Sequence, residues 1–123
     1  MMNLDKVTLT EKFAQFSDYW NPRIAGELNG QQVKLAKFKG AFVWHQHEHE
    51  DEFFLVVEGS FRMELRDKTV VLNKGDFMIV PRGTEHRPVA DQEAHVLLFE
   101  PATTINTGTL DASELTRTTL ERL

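Results

Sequence analysis

Between residues 60 and 66 apolar and polar side chains alternate, with Phe61, Met63 and Leu65 on one parity and Ser60, Arg62, Glu64 and Arg66 on the other. A period of two marks a half-buried antiparallel strand. Comparable runs predict strands over about residues 31–38, 41–47, 52–58, 60–66, 69–73, 77–80, 86–90 and 94–100. Breaker-rich segments separate them at Arg66-Asp67-Lys68, Asn73-Lys74-Gly75-Asp76 and Pro81-Arg82-Gly83. Turn signals about every 8 to 12 residues point to a sandwich or barrel. Phe61, Met63, Leu65, Phe77, Ile79, Val96 and Leu98 are the candidate inward residues, depending on register.

The run Phe53-Phe54-Leu55-Val56-Val57 is apolar on both parities, so the face that does not line the core needs a cover. One candidate cover is a short N-terminal helix, read over Thr10-Glu11-Lys12-Phe13-Ala14-Gln15-Phe16 with Thr10 as N-cap and Phe13 and Phe16 on one face. The other is a second copy of the chain, and a homodimer is expected. At the far end, Asp111-Ala112-Ser113-Glu114 reads as a capping-box-like start to a weak helix through Leu115, Leu120 and Leu123.

Composition narrows the possibilities. A chain of 123 residues with 41% hydrophobic side chains is expected to form one domain, over residues 1–123, with an N-terminal arm (1–30), a β-barrel (31–100) and a C-terminal tail (101–123). The net charge of −5, with no run of more than two basic neighbours, argues against a nucleic-acid partner. The absence of cysteine removes disulfides, thiolate-ligated zinc and thiol nucleophiles. No segment has the apolar length of a signal peptide or a membrane span, so no membrane partner is expected and the cytoplasm is the default location.

Chemistry concentrates in two stretches, residues 40–59 and 75–86. His45 and His47 are two apart after Phe42-Val43-Trp44, so on an extended chain both rings leave one face, roughly 6–7 Å apart. Glu52 has the opposite parity, but Glu48-His49-Glu50-Asp51 reads as a turn that resets the register and returns it over the pair. His86 follows the turn Pro81-Arg82-Gly83-Thr84 and is the natural fourth ligand. Three imidazoles and a carboxylate suit a first-row divalent metal, whether Fe, Mn, Zn, Ni or Co. His49 reads as solvated and His95 as structural. Asp51 is an alternative to Glu52, and the spacing to Gly59 favours Glu52.

These stretches resemble the paired motifs of the cupin superfamily, with Gly40, His45, His47, Glu52 and Gly59 matching the first and Gly75, Pro81, Gly83 and His86 the second. The gap from Gly40 to His45 is one residue shorter than that family's usual pattern, and its Asn four residues after the second-motif His is Ala90 here. The resemblance implies an all-β jelly-roll barrel holding one metal ion. It also implies a small-molecule ligand or substrate.

The expected function is a small metalloenzyme acting on an oxygen-bearing molecule chelated to the metal, of dioxygenase, isomerase or decarboxylase type. The alternative is a non-catalytic binding or structural module. Lys and Arg are scarce at the inward positions, with Arg87 the one evident exception, which ranks phosphosugar chemistry lower. No acid or base beside the metal stands out, since Arg62 and Glu64 have the wrong parity and Tyr19 lies outside the motifs.

Overall fold

The computed structural model describes residues 4–110 and 113–123. A short helix, α1 (Leu9–Phe13), precedes seven strands: β1 (Arg23–Leu28), β2 (Gln31–Ala41), β3 (Glu52–Glu58), β4 (Ser60–Leu65), β5 (Thr69–Asn73), β6 (Phe77–Val80) and β7 (His86–Pro101). All the strand pairings are antiparallel, in the order β1-β2-β7-β3-β6, with β4 joining β5 and the first part of β7. The 16-residue β7 closes the barrel, because its start pairs with β4 at Leu65↔His86 and its end with β3 at Phe53↔Phe99. Two expected strands, 86–90 and 94–100, are therefore one. A register shift against β2 falls at residues 91–93, which carry the exposed polar run Asp91, Gln92 and Glu93.

The inner faces bury Phe38, Phe54, Val56, Phe61, Met63, Val96 and Leu98. Trp20 enters from the N-terminal arm, stacks on Phe38 at 4.5 Å and Phe42 at 4.9 Å, and donates its indole N–H to the Lys39 carbonyl at 2.9 Å. Gly59 turns β3 into β4 at φ +82°, and a Cβ there would stand 2.9 Å from the Glu93 carbonyl oxygen. Only glycine fits both the conformation and the space.

Several expectations are corrected. Phe77 and Ile79 point outward and are 60% and 55% exposed; the inward residues of β6 are Met78 and Val80. Strand 41–47 is reduced to one bridge, His45↔His86. The strand at β1 was not foreseen. The helix begins at Leu9, with Thr8 rather than Thr10 as its N-cap, and the Thr8 carbonyl rather than its hydroxyl accepts from Glu11 and Lys12.

Helix α1 does cover part of the outer wall, where Phe13 and Phe16 form a second buried cluster with Leu35. Lys37 Nζ ties that arm down by donating to the Phe16 carbonyl at 2.6 Å. Of the proposed C-terminal capping box, Asp111 and Ala112 lie outside the described residues. Residues 113–123 hold turns and a short parallel pairing with β1 instead of a helix, with Ile24 and Leu123 each donating a backbone N–H at 2.9 Å.

Candidate metal centre

After β2 the chain stays extended without joining a continuous ladder. The amides of His45 and His86 exchange hydrogen bonds with each other's carbonyls at 3.1 and 2.9 Å, which fixes one segment against the other. Parity is kept, so His45 and His47 are both buried while Gln46 between them is exposed. Glu52 opens β3 opposite Val80, after a bend at Glu48 and His49. Gly83 donates its N–H to the His47 carbonyl at 2.7 Å and ties the second turn to the first histidine segment.

His45, His47, Glu52 and His86 are thereby brought together, all buried, each with a potential ligand atom within 4.8 Å of the others. His45 Nδ1 bonds the Val43 carbonyl at 2.9 Å and His86 Nδ1 the Thr84 carbonyl at 2.8 Å. A carbonyl only accepts, so each Nδ1 carries a proton and each ring turns its Nε2 inward. Glu52 Oε1 lies 2.7 Å from His47 Nε2 and 3.1 Å from His86 Nε2.

Both ring nitrogens of His47 are nevertheless buried without an aligned hydrogen bond. His86 Nε2 hydrogen-bonds Glu52 Oε1 at 3.1 Å, while His47, crowding the same oxygen unpaired, fits a shared cation, and the nitrogen and oxygen set suits a first-row divalent ion.

The electrostatics agree with that fit. Burial, reinforced by the neighbouring His86, lowers His45 to about 4, so its ring is neutral and ligand-competent at neutral pH. Burial would raise Glu52, but the adjoining His47 and His86 outweigh it and hold the carboxyl well below its usual range.

The other candidates separate cleanly. His49 is exposed, and Asp51 is exposed and bound to Arg82, from whose backbone N–H it accepts at 2.9 Å. His95 stacks on Phe13 at 4.6 Å and bonds Glu93 at 2.8 Å, a structural role. Arg87 faces outward, with its Nε 2.9 Å from Glu64 Oε1 on β4.

Two residues of the inner wall were missed. Lys34 of β2 and Glu100 of β7 face each other with Nζ and Oε1 3.8 Å apart, each side chain 3% exposed. Leu98 pairs with Lys34 and Gln32 with Glu100, while Phe53↔Phe99 sets Glu52 beside Glu100 at the next step of the register. Lys34, Glu100 and Glu52 therefore form a row across three strands. Burial and the adjacent Glu52 charge push Glu100 well above the usual carboxylate range. The signal was present, because Glu100 continues the inward parity of Val96 and Leu98.

The row borders a cavity of about 40 Å³, walled by Trp20, Phe38, Phe42 and Phe54 and reached by His45 and Glu52. Its far side is formed by Thr104, Asn106, Arg117 and Leu120 of the C-terminal segment.

An antiparallel jelly roll with three inward imidazoles and a carboxylate at one end defines a cupin. Residues 31–100 match the family described as Cupin_2, Cupin domain, and the chain belongs to that family. An uncharacterised Bacillus subtilis protein, YdbB, is 41% identical over 78 residues, covering 63% of each chain. An acireductone dioxygenase of Puccinia graminis is 30% identical over 108 residues, 76% of this chain and 56% of that protein. The chain thus spans 56 to 63% of the length of these curated relatives. A solved cupin-2 domain containing protein from Shewanella frigidimarina superposes with a TM-score of 0.76 at 39% identity, over 77% of this chain and 93% of that one. Among the described residues no helix is long and apolar enough to cross a membrane.

Proposed function

We propose that this cupin is a small metal-dependent enzyme that holds one divalent first-row ion through His45, His47, Glu52 and His86 and acts on a small oxygen-bearing molecule in the adjoining cavity. The observation that carries the reading is the convergence of four buried ligand atoms within 4.8 Å of one another, at the wall of a cavity. When bound, such an ion supplies Lewis acidity and open positions for a chelating oxygen ligand. The chain's own residues do the rest: Val43 and Thr84 orient the rings, and the aromatic wall restricts water. Glu100, buried next to Glu52, is placed to hold or pass a proton on the cavity side. Likeness to acireductone dioxygenases over 76% of the chain favours oxygen chemistry over isomerisation or decarboxylation.

Elemental analysis of untagged protein tests this, counted per chain. About one equivalent of iron, followed by substrate-dependent oxygen uptake, supports the oxygenase form. One equivalent of zinc or nickel without uptake favours the other chemistries, and no metal after reconstitution overturns the reading. The small cavity, about 40 Å³, favours a non-catalytic binding module as the second reading. Stoichiometric metal with ligand binding and no turnover would select it.

A further inference from the structure

The inner cavity is closed on one side by chain that belongs to no strand. Barrel and N-terminal arm form its other walls, while Thr104, Asn106, Arg117 and Leu120 cover it. Among the described residues, the one backbone bond that joins residues 105–120 to the barrel runs from the Thr109 N–H to the Gln46 carbonyl at 2.9 Å. The cover is held to itself instead. Asn106 donates from Nδ2 to the Leu115 carbonyl at 2.7 Å and accepts at Oδ1 from the Arg117 N–H at 2.8 Å, and the hydroxyls of Thr107 and Thr116 meet at 2.8 Å. Its ends are fastened, by the Ala102 N–H to the Gly30 carbonyl at 3.0 Å and by the two backbone bonds at Ile24. A segment fixed at its ends and clasped in its middle can part there by breaking a few side-chain bonds, whereas a strand would have to leave its ladder.

A groove of about 320 Å³ lies along the other flank of this cover, lined by Trp44, His45, Gln46, Glu85, Thr109 and Leu110. His45 borders both spaces, and Thr109 and Leu110 belong to the cover itself. The cavity alone, about 40 Å³, admits roughly three water-sized groups, so a larger molecule reaches it only if the cover moves. We infer that residues 104–110 and 113–120 form a gate that opens at the clasp of Asn106, Thr107 and Thr116 and joins the groove to the cavity past His45, admitting a small molecule to the metal centre. The inference rests on the proposed function in taking this cavity as the ligand site. Arg117 moves with its own arm, because its Nη1 is engaged by the carbonyls of Glu114 and Thr116 and not by the barrel. Segments that gate enzyme sites are drawn from such weakly fastened, irregular chain.

Trp20 walls the cavity and Trp44 the groove, and the chain has no other tryptophan and no cysteine. In a Trp44→Phe background, quenching of Trp20 fluorescence by acrylamide, a small neutral probe, therefore reads how readily the cavity opens. Thr107→Cys/Thr116→Cys in that background sets two thiols where the hydroxyls touch, and a disulfide between them locks the clasp. Thiol titration counts the bond. Oxidation should lower the quenching constant about threefold or more and reduction should restore it, while Asn106→Ala, which loosens the clasp, should raise it. Fraying of the N-terminal arm would expose Trp20 equally in both redox states. The same constant in oxidised and reduced protein, or in Asn106→Ala and its parent, overturns the gate. Both comparisons use metal-free protein, and zinc uptake is counted separately. Its absence defeats the metal reading alone, and the quenching result then decides the gate.

Discussion

His47 Nε2 lies 2.7 Å from Glu52 Oε1, a separation typical of a strong hydrogen bond, yet the imidazole is not aligned to make one. Both atoms face a common point, as ligands of a single ion do. His47→Ala should therefore abolish stoichiometric metal binding and lower the melting temperature of metal-loaded protein towards that of metal-free protein. His49→Ala, at an exposed position outside the cluster, should change neither. Metal counted per chain and thermal unfolding with and without added ion check both, and retained metal in the His47 variant would remove it from the ligand set.

Acid should destabilise the metal-free protein through His45. Its folded value of about 4 lies below its ordinary 6.5, so the unfolded chain binds more protons between those values. The neutral ring's contribution is fully present above about pH 6.5 and is lost as pH falls towards 4. The full span corresponds to about 3 kcal/mol. Urea unfolding of metal-free wild type and His45→Leu at pH 7, 5 and 4 measures it. The stability difference between the two should shift against wild type as pH falls, and a constant difference would show that His45 is not buried as a neutral ring.

Gly108 lies at φ +60° in the loop over His47, where a Cβ would come within 1.9 Å of the Gln46 carbonyl oxygen and 3.2 Å of His47 Nδ1. The first neighbour is backbone and cannot yield cheaply. Gly108→Ala should displace the loop and, by disturbing the support of His47, weaken metal affinity by about tenfold or more. Competition against a chromogenic chelator reads that loss, and unchanged affinity would mean that the loop is not part of the site's support.

Removing Lys34 alone should be worse than removing the whole pair. Lys34→Met leaves Glu100 buried beside Glu52 and should cost about 3 kcal/mol, whereas Lys34→Met/Glu100→Leu should fall within about 1 kcal/mol of wild type or above it. Denaturant unfolding of the two single variants and the double variant gives the coupling directly. Additive effects would show that the two side chains do not interact.

The four clustered side chains were legible because each depends on local chemistry: a two-residue spacing for His45 and His47, and turns that fix the directions of Glu52 and His86. That parity needed only an extended backbone, so it survives where the expected strand 41–47 is a single bridge. Register was harder to read where both faces of a strand are apolar. Phe77-Met78-Ile79-Val80 offers no alternation, and only the pairing Phe53↔Ile79 and Leu55↔Phe77 reveals which side faces out. Strand β1 was hidden by a mixed sequence, Arg-Ile-Ala-Gly-Glu-Leu, held in place by pairing with β2. The leucine spacing near the C-terminus suggests a helix, but the chain there gains more from backbone bonds to Ile24 and from the barrel, where Leu115 packs on the core. Lys34 and Glu100 were passed over because charged residues are rarely buried, and a parity rule applied without that prior would have found them.

The outer face beyond the helix bears on assembly. Phe77 and Ile79 stand 60% and 55% exposed on β6, with Phe53 stacked on Phe77 at 4.9 Å and Phe99 paired to Phe53 on the next strand. Large apolar side chains contiguous on one sheet face are costly in water, and a second copy offers the same face in return, which a two-fold interface requires. A homodimer through this face is the expected assembly. Light scattering at micromolar concentration should give twice the chain mass for wild type and the single-chain mass for Phe77→Ser/Ile79→Ser. The variant's metal content should be unchanged, since neither residue reaches the cluster. A monomeric wild type would sink the dimer, and a variant that remains dimeric would place the interface on another face.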